Sequence, residues 1–390
     1  MNVSELKPTP PAVAPPFDVQ SLVGTILRRY GLIIVLIILA IVFQVLTDDL
    51  FLSSRNVAVL LRQASITGIV ACGVCLVIVS GEIDLSIGSA VGLAAIGFAY
   101  LVSIAGWPPL QALAATAVLG VVLGAWQGFL VAVVGVPAFV VTLAGLLIFK
   151  GIGLIVTNGN TISGLPPEVV WVGSGLLDLP ATAIFAASLL VVFLGVQALA
   201  GRLNPQALRR NWLRIALAAV LVGTGLFYVA TGPGLPVPVA ILAVVGVGLA
   251  LVASRTTFGR HLYAIGGNRE AARLGGIRIT RDIFLIFCIM GVLYAIAGLV
   301  LVGRLNGAPP DGAPFLELDA IAAAVIGGTS LMGGVGRVGG AMLGAILTAS
   351  VSNGLSLMNV NSFFQMIASG LILVAAVAID IRGKRNRRLS

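Results

Sequence analysis

The sequence predicts an all-α polytopic membrane protein with about twelve transmembrane helices, since a hydrocarbon core of about 30 Å needs roughly 20 apolar residues per crossing. Three observations predict it. Of the 390 residues, 59% are hydrophobic and only 9% are charged, against about 25% charged in a soluble domain. The mean hydropathy is +1.12. Apolar stretches of crossing length also recur along nearly the whole chain, with short polar segments between them.

The elements follow in order. Residues 1–29 are polar and proline-rich, an N-terminal tail, and the first apolar run, 31–46, ends in Thr47-Asp48-Asp49 without a small-residue cleavage pattern. That makes it an uncleaved first helix. Runs at 57–79, 87–105, 110–134 and 137–156 complete a first block of five. Further runs lie at 181–200, 213–230, 237–253, 283–303, 320–332, 338–357 and 363–379. The membrane domain is therefore set at 30–380, with a basic tail at 381–390.

Alternate connections carry the Lys and Arg, as cytoplasmic loops do. Eighteen of the 23 fall within 1–29, 201–214, 255–282 and 381–390. Twelve crossings from a cytoplasmic start put all four segments on one side and both termini in the cytoplasm. Opposite connections hold Asp48, Asp49, Glu168, Asp178, Asp311 and Glu317 against Arg55 and Arg304. The net charge of +9 is thus explained by orientation, and a nucleic-acid partner is not expected.

Many of the 49 glycines sit inside the apolar runs. Lipid gives helices no hydrophobic reason to associate, so close backbone approach supplies packing energy. Gly120, Gly124 and Gly128 form one ladder and Gly336, Gly340 and Gly344 another. The stretches they head begin on helices of opposite direction, which predicts an inverted repeat with a path between its halves. The GxGxxG at 334–339 follows no soluble strand, so it reads as a turn between membrane helices. Cys72 and Cys75 spell CxxC inside an apolar run and read as packing residues rather than a metal or redox pair.

Ionisable groups at membrane depth are functional candidates because insertion costs roughly 3 kcal/mol each. Glu82 and Asp84 stand in SGEIDLSIGS between two runs. Two readings stand side by side: a helix break lining a cavity, or a cap in which Asp84 or Ser86 serves the next helix. Arg62, Gln63, Lys150 and Asp319 lie near run ends, where snorkelling explains them. His261 reads as solvated. No metalloprotease, hydrolase or phosphate-loop motif is present and no nucleophile–base pair stands out, so neither catalysis nor ATP binding is expected of this chain.

The connection 255–282 is the longest basic one. Asn268 can cap a short helix with Glu270 near its positive end, Ala271, Ala272 and Leu274 on a small apolar face, and Gly275 and Gly276 ending it. Such a helix suits a partner groove; a plain solvated basic loop is the competing reading.

With IDLSIGS at 83–89, AIGGNREAARLGGI at 264–277 and LDAIAAAVIGGTSLMGGVGRVGGAMLGA at 318–345, the chain resembles the membrane permeases of bacterial sugar ABC importers, the ribose and xylose permease family. The likeness spans about 56–380. The segment 164–236, which carries an extra helix pair, resembles the xylose-type members, whereas ribose-type members have about ten crossings. The resemblance implies a multi-pass protein of the bacterial inner membrane, homodimeric, working with a cytoplasmic ATPase that binds the ATP and Mg and with a periplasmic sugar-binding protein. D-xylose is the expected cargo, with ribose, another sugar or a branched-chain amino acid as alternatives. It also implies that Gly266, Gly267, Asn268, Arg269, Glu270, Ala271, Arg273, Leu274 and Gly275 form the helix coupling the permease to the ATPase. Candidates for lining the path are Glu82, Asp84, Ser86, Thr329, Ser352 and Asn353, because a neutral pentose needs hydrogen-bonding groups more than charge. An ion-gradient transporter using Glu82 or Asp84 as its proton site is the alternative from another class.

Overall fold

A computed structural model describes residues 19–199, 232 and 234–389. The described helices are α1 (Val19–Leu46), α2 (Ser54–Val79), α3 (Ile87–Ala99), α4 (Pro109–Phe129), α5 (Ala138–Thr157), α6 (Pro167–Ser174), α7 (Leu179–Leu199) and α8 (Val237–Arg255). They continue with α9 (Thr257–Gly267), α10 (Arg269–Leu274), α11 (Ile279–Leu305), α12 (Leu316–Ile326), α13 (Val338–Leu357) and α14 (Ser362–Leu389). π-helical turns at Tyr100–Ile104 and Leu130–Val134 extend α3 and α4. Two antiparallel two-residue pairs join outer connections: β1 (Ile162–Ser163) with β4 (Gly307–Ala308), and β2 (Leu176–Leu177) with β3 (Leu235–Pro236).

Seven of the described helices are long and apolar enough to span a membrane, and Tyr30–Leu46, Leu179–Val192 and Ser362–Ile372 are shorter apolar stretches. The protein is an all-α, multi-pass membrane protein. The expected run 213–230 and the arginines of 201–214 lie outside the described residues. The run expected at 320–332 becomes α12, whose 11 residues extend about 16 Å, half of a ~30 Å core. Non-helical chain leads into it from β4, and Gly328, Gly333 and Gly334 at positive φ turn the chain after it.

The core centres on α11 and α2. Helix α11 packs on α2, α3, α4 and α6, while α2 also packs on α8, α12 and α13. Both glycine ladders form contact seams. A Cβ at Gly120 would overlap the Gly291 carbonyl of α11, and one at Gly124 the Phe287 carbonyl. Gly340 and Gly344 meet Gly327 and Ala323 in the same way, holding α13 on the α12 segment. On the outside, Val118, Leu147, Ile155 and Val244 are exposed, as lipid-facing residues should be.

Candidate functional site

One end of the bundle is built from α9, α10, the turn 327–337 and the end of α2. Thr256 begins α9 by accepting the Gly259 N–H (3.0 Å), and Leu262 and Ile265 bury its inner face. The Tyr263 hydroxyl donates to the Gly336 carbonyl (2.9 Å); burial pushes its phenol above the ordinary value, so it stays a neutral donor. The Gly334 N–H donates to the Val79 carbonyl (2.8 Å). Gly266 sits against both groups, where any side chain would overlap backbone. The chain then breaks at Asn268, whose Oδ1 accepts the Ala271 N–H (2.9 Å) and caps α10.

Helix α10 is tethered on one side and open on the other. Arg269 Nη1 donates to Glu82 Oε1 at 2.7 Å, with side-chain exposures of 54% and 10%. Ala272 is buried, while Glu270 and Arg273 pair with each other at 2.6 Å on the exposed side. Leu274 (78% exposed), Met332 (79%) and Val335 leave large apolar side chains uncovered at this end of the molecule. His261, expected to be solvated, is instead half-buried and lies 2.7 Å from Asp282 Oδ2. The reason is that the chain from Thr257 is a helix, which turns that ring towards the first turn of α11.

The second polar centre lies on the break 80–86 between α2 and α3. Gly81 at positive φ turns the chain, and helix resumes only at Ile87. Asp84 is fully buried. Its Oδ1 accepts the Ser86 N–H (2.9 Å) and Oγ–H (2.7 Å), and its Oδ2 accepts the Tyr294 hydroxyl of α11. Gln127 of α4 donates to Ser86 Oγ (2.6 Å), and Thr142 of α5 lies 3.3 Å from the Ile83 carbonyl. Three helices, α4, α5 and α11, thus help satisfy a non-helical stretch that lipid could not. The helix is broken, as one reading expected, but α3 starts at Ser86 without a side-chain cap: Asp84 closes a local turn on the Ser86 N–H instead of serving the free amides of the next helix.

The expected path residues are not brought together. Glu82 faces α10, and Asp84 and Ser86 form the buried centre. Thr329, on the turn after α12, donates to Cys75 Sγ at 3.2 Å. Asn353 exchanges two hydrogen bonds with Asn56 (2.8 and 3.0 Å) near the opposite end of α2, beside half-buried Ser352. The nine residues expected for coupling are, by contrast, contiguous around α10. Sequence reasoning missed Gln127 and Tyr294; a lone amide inside a glycine ladder and a lone phenol inside an apolar run were the available signals. It also placed Lys150 at a run end, whereas Lys150 stands inside α5 and pairs with Asp311 at 2.8 Å.

The family described as "Branched-chain amino acid transport system / permease component" matches residues 56–377. The xylose transport system permease protein XylH of Escherichia coli K12 is 44% identical over 92% of this chain and 93% of the relative. XylH of Haemophilus influenzae is 42% identical over 92% and 97%. The ribose import permease protein RbsC of Bacillus subtilis is 33% identical over 91% and 93%. No solved structure matches the chain significantly.

Proposed function

Because the chain belongs to this family of sugar and branched-chain amino acid permeases, we propose that it is the membrane subunit of an ATP-driven importer of D-xylose. The observation that carries the reading is the identity gap: 44% to a xylose permease against 33% to a ribose permease, at equal coverage. In this reading α10 couples the permease to a separate cytoplasmic ATPase, which binds the ATP and Mg. Its capped, exposed face with Glu270, Arg273 and Leu274 supports docking, and its tether to Glu82 supports transmission of force into the membrane. This chain contributes no catalytic residue.

The same reading includes a homodimer in the bacterial inner membrane, both termini cytoplasmic, twelve crossings, and a periplasmic sugar-binding protein that delivers cargo. An inverted repeat is supported by matched packing: α4 lies on α11 as α13 lies on α2, and α3 lies on α11 as α12 lies on α2. Alternating access then moves these halves about the breaks at 80–86 and 306–315. Glu82, Asp84, Ser86, Thr329, Ser352 and Asn353 stay candidates for groups whose surroundings change in that motion.

The test is uptake by proteoliposomes holding the chain with its ATPase and binding protein. ATP-dependent D-xylose accumulation blocked by vanadate and indifferent to a protonophore is the expected result. Accumulation by the chain alone, abolished by a protonophore, refutes it in favour of an ion-gradient transporter.

A further inference from the structure

Helix α5 carries one charged residue, Lys150, twelve residues from its start and seven from its end, so about 18 Å and about 10 Å along the axis from either terminus. Lys150 is 44% exposed and Asp311, its partner at 2.8 Å, 63% exposed. Asp311 belongs to the chain between β4 and α12. That chain runs beside α3 so that Gly312 touches Gly92 and the Glu317 carboxylate lies against Gly88. Pro314 and Phe315 are exposed on the same segment, and Glu317 and Asp319 follow half-buried.

Irregular backbone at membrane depth is tolerated where protein buries it or where it lines water, and exposed charges there follow the same rule. The segment 306–315 meets the first condition on its α3 side, through buried Gly312 and Ala313. Its other side presents Asp311, Pro314 and Phe315, with Lys150 beside them. A lipid-facing surface would strand both charges. The Lys150 ammonium is held by Asp311 at 2.8 Å, and both partners stay exposed.

We propose that Lys150 and Asp311 line a water-filled path for a neutral polyhydroxylated substrate, along the face where 306–315 descends beside α5. The inference rests on the importer reading and adds to it the wall of the path. An ammonium and a carboxylate held together offer both donors and acceptors to sugar hydroxyls, and their mutual pairing closes the notch when no sugar is there.

The test uses the complete complex in proteoliposomes, with Cys288→Ser as background because Cys72 and Cys75 are buried. Lys150→Cys and Asp311→Cys are compared with Ile148→Cys and Ile155→Cys, which lie on the far side of the exposed arc of α5. Only a hydrated thiol ionises to the reactive thiolate, so a membrane-impermeant thiosulfonate is expected to modify the first pair about 100-fold faster than the second. Loading the binding protein with D-xylose is expected to change the rate at 150 and 311 alone. In parallel, Lys150→Met should lower uptake while leaving ATPase stimulation by the loaded binding protein, and Lys150→Arg should retain uptake. Equal, slow modification at all four positions in a complex that still pumps overturns this inference alone. An unsubstituted complex that shows no ATP-driven uptake overturns the importer reading, and this inference with it.

Discussion

Arg269→Ala tests the link between the exposed helix and the membrane core. The guanidinium lies 2.7 Å from Glu82, with exposures of 54% and 10%. A charged hydrogen bond contributes about 1.5–3 kcal/mol when well enclosed, and an exposed pair about 0.2–1 kcal/mol. With one partner enclosed and the other half in water, about 1–2 kcal/mol is the expected worth, a factor of roughly 5–30 in an equilibrium between tethered and released α10. Uptake per ATP hydrolysed should therefore fall about tenfold, while the folded yield in membranes and the basal ATPase rate stay unchanged. Glu82→Gln should act alike, and the double variant should be no worse than either single one, because both remove the same contact. The assay is D-xylose uptake and phosphate release measured on the same proteoliposomes. Unchanged uptake per ATP in Arg269→Ala, or strictly additive losses in the double variant, refutes the reasoning.

Three further outcomes are expected. Glu270→Arg loses an exposed pair with Arg273, worth about 0.3 kcal/mol, and the acidic group in the first turn of α10, worth about 0.3–1 kcal/mol, so the permease should fold yet fail to couple; normal ATP-dependent uptake contradicts this. Gly124→Ala places a methyl on the Phe287 carbonyl and should destabilise by about 1–3 kcal/mol, as overpacking does, whereas Gly151→Ala meets nothing within 4 Å; thermal unfolding in detergent separates the two. Tyr294→Phe leaves buried Asp84 without one donor and should cost about 1–3 kcal/mol, read as a lower Tm that Ser89→Ala, at a half-buried hydroxyl bonded only to the nearby Ser86 carbonyl, does not reproduce.

The sequence makes the membrane helices legible because burial in lipid demands long apolar runs, whatever those helices later pack against. The glycine ladders are legible for a related reason: only a missing side chain permits the approach of α4 to α11, so the spacing states the contact before the partner is known. Asn268 and Glu270 announce α10 because a cap is a local interaction between residues three apart. The failures are all long-range. Asp311 and Lys150 stand 161 positions apart, and no periodicity relates them. Gln127 and Tyr294 carry polarity into apolar runs, but the Asp84 carboxylate they serve comes from a third segment. His261 went wrong because its partner Asp282 lies 21 residues away across two turns of chain.

In the proposed importer, these long-range contacts divide the molecule into a frame and a moving part. Frame contacts are backbone on backbone, as where Gly291, Phe287 and Ala323 receive glycines, and such seams separate only at the cost of many small dispersion contacts at once. The break 80–86 is held differently, by a few polar side-chain contacts. Glu82 is anchored to Arg269 at the exposed end, and two residues later Asp84 is anchored to Tyr294 in the core. A displacement of α10 is therefore delivered to a segment with no helix to resist bending. The glycine turn at Gly81, at positive φ, lies before both anchors. What moves with it is the start of α3, and on the far side of α3 stands Gly92, pressed on Gly312 of the descending chain. A push on α10 thus reaches the wall holding Asp311 through two close contacts, without requiring either glycine-packed seam to open.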